Sequence, residues 1–220
     1  MKKNIFKFAS WNALFIASIF LISTNISHAL TFGDNIITNG GAEDSRGFTD
    51  GRLVKVKKWQ TTDGTFTVIK YGKNDNFLTL TSPGPAKKIR GKNYFSGGDG
   101  SQLSRAIKTV KLSSIAKIID TNKVSFKLSG FFGGWKEQDD NAVLTAEFLN
   151  VSKQPISQVS IGSVLAADRA NISRLLPRKL RGVIPAGTRS IRLVLTMIRV
   201  VGKFNDGYAD NLSMVLAKKR

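Results

Sequence analysis

From Lys123 onward the chain alternates. Val124, Phe126 and Leu128 are interleaved with Lys123, Ser125, Lys127 and Ser129, and Ala142, Leu144, Ala146 and Phe148 repeat the pattern against Val143, Thr145 and Glu147. Successive side chains leave a strand on opposite faces, so a period of two marks a half-buried strand and excludes a helix over the same residues. The short polar loop from Asn150 to Pro155 reads as a hairpin into a strand over 156–161. Further strands are expected over 53–60, 66–71, 77–81, 102–110, 175–184 and 189–200. Asp63-Gly64, Lys73-Asn74-Asp75, Pro83-Gly84 and Pro185-Ala186-Gly187 punctuate them as turns. Only 113–120 suggests a helix, a short one with Ser113 as its cap and Ile115, Ile118 and Ile119 facing inward. Many short strands, regular turns and one short helix make an all-β fold, an antiparallel β-sandwich.

The last strand, over 204–216, carries an anomaly. Alternation puts Tyr208, Asp210, Leu212, Met214 and Leu216 on one face, and four of these five belong in a core. A carboxylate there must be hydrogen-bonded, paired or bound to a metal, because leaving it bare in low dielectric costs several kcal/mol. The candidates for Asp210 are a cation or one of the chain's many basic side chains. Near the other end, Ile36-Ile37-Thr38 runs into a glycine turn, Asn39-Gly40-Gly41, that ends in Glu43 and Asp44.

The two ends together, N-G-G-x-E at 39–43 and Y-A-D-N-L-S at 208–213, resemble the terminal strands of the galactose-binding-like β-sandwiches, the jelly-roll architecture of many carbohydrate-binding modules. The G-F-F-G-G-W run at 130–135, Q-D-D-N at 138–141 and the P-A-G-T turn at 185–188 extend the similarity over most of the chain after its leader. The resemblance implies a jelly-roll sandwich and a structural calcium between the termini, held by Glu43 and Asp210. Backbone carbonyls near Gly41 would complete an oxygen cage, since calcium takes six to eight oxygen ligands. It implies a ligand less narrowly, because this fold hosts sugar, lipid and protein binding alike.

Residues 1–29 read as a secretory signal peptide. Lys2, Lys3 and Lys7 precede an apolar run over 8–22, and Ser27-His28-Ala29 gives a small-x-small cleavage site. The run is interrupted by Asn12 and falls short of the ~20 residues that span a bilayer, so no transmembrane anchor is expected. The remaining 191 residues, 30–220, suit one sandwich domain outside the cytoplasm, secreted or periplasmic. The leader removes three of 34 basic residues and none of the 15 acidic ones, so the formal charge falls only from +19 to +16. Such an excess favours anionic partners such as acidic glycan, phospholipid or lipopolysaccharide. Basic clusters stand at Lys55-Lys57-Lys58, over 87–92, over 174–181 and at 218–220. The stretch 87–92 reads as a loop, and with no nucleic-acid-binding motif beside these clusters nucleic acid is not an expected partner.

Absences narrow the chemistry. There is no cysteine, and the single histidine, His28, lies in the leader. Serine and cysteine nucleophiles paired with histidine, histidine general bases and His/Cys zinc sites are therefore excluded from the mature domain. Carboxylate chemistry remains. In an otherwise basic chain, the loop Gly133-Gly134-Trp135-Lys136-Glu137-Gln138-Asp139-Asp140-Asn141 gathers an indole, three carboxylates and two amides. A flat ring against a sugar's C–H face, with planar polar groups for its hydroxyls, is the chemistry of a glycan site, so Trp135, Glu137, Asp139, Asp140 and Asn141 are the candidate ligand residues. The paired glycines would let Trp135 sit on a sharp turn. Adjacent Asp139 and Asp140 point to different sides when extended, which argues against a glycosidase pair. Trp59, Tyr71, Tyr94 and Phe95 read as core. The expected function is a secreted, non-catalytic carbohydrate-binding domain. A basic interaction or effector protein that docks on anionic surfaces by charge alone is the alternative.

Overall fold

The computed structural model describes residues 30–73 and 76–219. The signal-peptide reading of 1–29, and Asn74 and Asp75 of one expected turn, lie outside them. Ten strands form: β1 (Gln60–Asp63), β2 (Thr67–Lys70), β3 (Asn93–Asp99), β4 (Leu103–Lys111), β5 (Val124–Gly134), β6 (Asn141–Leu149), β7 (Pro155–Gly162), β8 (Arg174–Val183), β9 (Ser190–Ile198) and β10 (Phe204–Lys218). They build two antiparallel five-stranded sheets, ordered β1-β4-β9-β6-β7 and β2-β3-β10-β5-β8. From β3 onward the chain crosses between sheets at almost every connection, the winding of a jelly roll.

The period-two stretches become strands where expected, because each buries one face. Val124, Phe126 and Leu128 from the second sheet meet Ala142, Leu144, Ala146 and Phe148 from the first, with Ile191, Leu193 and Leu195 beside them. Trp59, Phe66 and Phe95 fill one end of this core, Phe66 lying over Phe95 with centroids 5.5 Å apart. Emptying one such position costs about 2 to 5 kcal/mol.

Several expectations are corrected. Residues 53–58 form no strand, although Val56 and Trp59 are buried: the segment lacks a pairing partner, and Lys58 turns it with φ 63°. Residues 77–81 form turns rather than a strand. The stretch 87–92, expected as a loop, contains a one-turn helix, α1 (Lys87–Arg90). The helix expected over 113–120 is a 3-10 turn, Ser113–Ile115, followed by α2 (Ala116–Ile119). Ser113 makes no capping bond, the residue ahead of it being Leu112, and of the three isoleucines only Ile119 is fully buried.

The largest correction concerns β10. A bulge between Asp210 and Ser213, with Asn211 left-handed at φ 50°, inserts an extra residue and reverses the alternation. Ala209, Leu212, Met214 and Leu216 face the main core. Tyr208 joins a second cluster with Ile69, Tyr71, Leu78, Tyr94 and Leu175, which covers the outer side of the second sheet. Asp210 pairs across to Phe131 of that layer and is completely buried. The five even-numbered residues thus serve two cores.

Candidate functional site

Four connections gather at one end of the sandwich: 100–102, 135–140, 163–173 and 199–203, each carrying the chain from one sheet to the other. The loop at Trp135 is the β5–β6 member. Gly133 and Gly134 lie inside β5, and close approach rather than a turn requires them. A Cβ on Gly133 would stand 1.9 Å from the Arg174 carbonyl oxygen, and one on Gly134 would stand 2.5 Å from that of Asp140. The tight bend falls instead at Lys136, with φ 40°.

Two buried charges hold this end rigid. Asp140, completely buried, accepts the Val200 and Val201 N–H groups at Oδ1 (2.7 and 3.1 Å) and the Asp206 N–H at Oδ2 (2.9 Å). Arg169, also completely buried, donates to the carbonyls of Lys136 and Ile172 at 2.8 Å each, and to that of Gln138. Burial lowers the Arg169 pKa, while Asp139, Tyr208, Asp140 and Asp168 act the other way. Burial likewise pushes Asp206 up to about 7, opposed by the Tyr208 hydroxyl that donates to it and reinforced by the nearby Asp140 charge. Neither Asp206 nor Arg169 was legible in the sequence as part of this region, because their partners are backbone groups brought in by the fold.

The predicted ligand residues therefore divide. Trp135 is half-buried against the outer aromatic cluster, with the Lys136 ammonium 4.4 Å from its ring centre. Glu137 and Asp139 are exposed, Asp139 spending one oxygen on the Ala166 N–H at 2.9 Å. Asn141 is buried at the start of β6, its amide donating to the Asp139 carbonyl. Asp140 faces inward, so the two adjacent aspartates do point to opposite sides. Five exposed apolar side chains, Leu103, Leu165, Ile172, Val200 and Val201, lie on or next to the same four connections. The outward positions of the first sheet, by contrast, carry no aromatic ring: Ile107, Val194, Thr145 and Thr196 lie there beside the Arg192–Glu147 and Arg105–Asp63 ion pairs.

The second predicted site lies where the N-terminal turn meets the β10 bulge. A Cβ on Gly40 would stand 2.0 Å from the Leu212 carbonyl oxygen, and the Leu212 N–H donates to Gly40 O at 2.9 Å, so glycine is required. Gly41 brings Glu43 and Asp210 together: its Cβ position lies 3.7 Å from Asp210 Oδ1, 3.6 Å from Asn211 Oδ1 and 3.9 Å from Glu43 Cγ. Glu43 Oε1 accepts the Lys92 and Asn93 N–H groups at 2.9 and 2.8 Å. Asp210 bonds to neither lysine nor arginine. Its partners are the Tyr71 hydroxyl at 2.8 Å and the Asn211 N–H at 2.6 Å. Burial raises its pKa well above the usual range, with Glu43 adding to the shift and both hydrogen bonds opposing it.

Among the described residues, four buried side-chain polar atoms lack a partner. Gln138 Oε1, Arg169 Nε and Arg174 Nε belong to the loop end, and Asn211 Nδ2 belongs to the Glu43–Asp210 site. Around Gly41 the donors are two carboxylates and an amide, the hard oxygen chemistry of a calcium-type ion, although no cluster of three or more acidic, histidine or cysteine residues occurs among the described residues.

No family profile matches the chain, and no curated protein matches it by sequence. Solved structures share its fold. A cyclase from Fischerella sp. TAU, in complex with 4-(1H-indol-3-yl)butan-2-one, superposes with TM-score 0.52 at 14% identity, over 84% of this chain and 97% of that one. A family 16 carbohydrate-binding module gives TM-score 0.50 at 14% identity, over 82% and 99%. The enzymatically active domain of bacteriophage CBA120 tailspike protein 4 gives 0.50 at 14% identity, over 83% of this chain but only 21% of its own. The fold is the jelly-roll β-sandwich that the two chain ends implied.

Proposed function

We propose that this chain is an exported, non-catalytic carbohydrate-binding domain whose ligand contacts the loop end of the sandwich. The observation that carries the reading is the composition of that end: a half-buried indole at Trp135 and exposed carboxylates at Glu137 and Asp139, the latter with one oxygen on the Ala166 N–H, all on a loop clamped by Asp140 and Arg169. A sugar needs an apolar surface for its C–H face and fixed acceptors for its hydroxyls, and a rigid loop presents both without an ordering cost on binding. The fold it shares with a carbohydrate-binding module is consistent with this.

Catalysis fits less well. The two acids with raised pKa, Asp206 and Asp210, are 6% and 0% exposed, sealed by Tyr208 and Tyr71 respectively, and serve as anchors of β10. A calcium ion held by Glu43, Asp210 and the Gly41 carbonyl would supply structural cross-linking of the N-terminal turn to the last strand. An array of uncharged glycans read at two salt concentrations tests the function: binding that persists at high salt supports a sugar site, whereas binding that collapses with ionic strength reassigns the protein to charge-driven docking.

A further inference from the structure

The charges of this protein are segregated by face. On the first sheet, outward arginines meet carboxylates, Arg192 with Glu147 at 2.5 Å and Arg105 with Asp63 at 3.2 Å. At the sandwich edges Arg189 meets Asp120, and Arg178 meets Asp168. The outer side of the second sheet differs. Its β2–β3 half lies under the second aromatic cluster, while the half made by β8, β5 and the end of β10 is open.

The register lays out this open half in rows. Val215, Lys127 and Arg181 form one; Ser213, Ser129 and Lys179 form the next; Ala217, Ser125 and Val183 flank the first on its other side. Lys127, Lys179 and Arg181 are exposed, and among the described residues none of them makes an ion pair or hydrogen bond. Residues 123–134, 174–184 and 211–219 contain no acidic residue. Lys127 stands directly opposite Arg181, an arrangement of like charges that destabilises a sheet and that no neighbouring carboxylate relieves. A shallow groove of about 390 Å³ runs between them, lined also by Ser125, Val215 and Ala217.

We propose that this open face binds an acidic polysaccharide, one carrying carboxylate or sulfate groups along its length. The proposal rests on the carbohydrate reading and adds the ligand's charge and a surface distinct from the Trp135 loop. Three cations within adjacent rows, ~5 Å apart across strands and ~7 Å apart along them, match a polymer with repeated anions better than a single small ion. Serine hydroxyls between the cations suit a ligand that also carries hydroxyls. A lipid surface is the less favoured occupant, because Val183, 38% exposed, is the sole large exposed apolar side chain on these three strands and offers little to insert.

The test measures affinity for heparin, polygalacturonate, an uncharged dextran and vesicles of anionic phospholipid, in about 150 mM salt where long-range attraction is screened. The variant Lys127→Ser/Lys179→Ser/Arg181→Ser is compared with a charge-matched control, Lys87→Ser/Lys88→Ser/Lys92→Ser, all exposed on another surface. Both are checked by thermal melting, and Lys127→Ser alone replaces the triple if the triple fails to fold. The expected result is a loss of about tenfold or more on an acidic polysaccharide for the face variant and less than about threefold for the control. Equal losses in both would mean that net charge alone acts, overturning the proposal. Binding to a neutral glycan with none to the acidic polymers would overturn it while leaving the carbohydrate reading intact. Vesicle binding that depends on this face, without polysaccharide binding, would assign the surface to membranes and also overturn it.

Discussion

The Tyr71 hydroxyl donates to Asp210 Oδ2 across 2.8 Å, tying the layer that roofs the second sheet to the strand beneath it. The bond accounts for one carboxylate oxygen. Asp210 Oδ1 accepts the Asn211 backbone N–H and lies close to Gly41, with Asn211 Oδ1 and Glu43 beside it.

An ion at this place would stabilise the fold by mass action, adding about 2.7 kcal/mol when calcium is at a hundred times its dissociation constant. EGTA is expected to lower the melting temperature, added calcium to restore it, and Asp210→Asn to melt at one temperature regardless of either. A wild-type melting temperature indifferent to both reagents would leave Tyr71 and the Asn211 N–H as the whole of the Asp210 environment.

Asp206 sets a pH dependence of definite sign. Its pKa rises on folding from 3.8 to about 7, so the native state binds the proton more tightly than the unfolded chain. Stability from this group is therefore complete below about pH 4 and declines as pH rises toward 7, by up to roughly 4 kcal/mol. Asp206→Asn keeps an acceptor for Tyr208 and cannot ionise. Denaturation curves between pH 5 and 8 should show a downward slope with pH that is shallower in the variant; equal slopes would remove Asp206 as its source.

Asp140 and its neighbour Asp139 should separate cleanly. Asp140→Ala strands three backbone N–H groups at the loop end and is expected to cost on the order of 3 kcal/mol or more. Glu137→Ala, exposed, should lie within about 0.5 kcal/mol of wild type, and Asp139→Ala, which strands only the Ala166 N–H, should cost less than Asp140→Ala. Urea denaturation compares them directly, and a harmless Asp140→Ala would contradict the clamp.

What the sequence revealed and what it concealed follow from range. Strands β4 to β9 were visible because each buries one face, and burial writes a period of two into consecutive residues. The role of Asp210 was half visible: an acid among apolar residues announced a special partner, but the bulge at Asn211 reversed the face it shares with Leu212, and nothing local encodes that reversal. Asp140 looked like a ligand residue because its neighbours are polar. Its actual partners, Val200, Val201 and Asp206, are some sixty residues away and contribute only backbone N–H groups, which have no residue-type signature. Arg169 was invisible for the same reason.

Trp135 lies at the edge of the outer cluster, so truncation should affect binding far more than folding. Trp135→Ala is expected to weaken glycan affinity by ~1 to 3 kcal/mol and stability by about 1 kcal/mol. A large loss of stability with unchanged affinity would make the indole a packing residue only.

The most direct test of the carbohydrate-binding reading is calorimetric titration of the domain, in buffer containing calcium, with the tightest uncharged array glycan, followed by recovery of that glycan for mass analysis. Saturable binding at high salt, with the glycan recovered intact, is the predicted result. Heat that vanishes with salt, or a glycan recovered cleaved, would contradict the account.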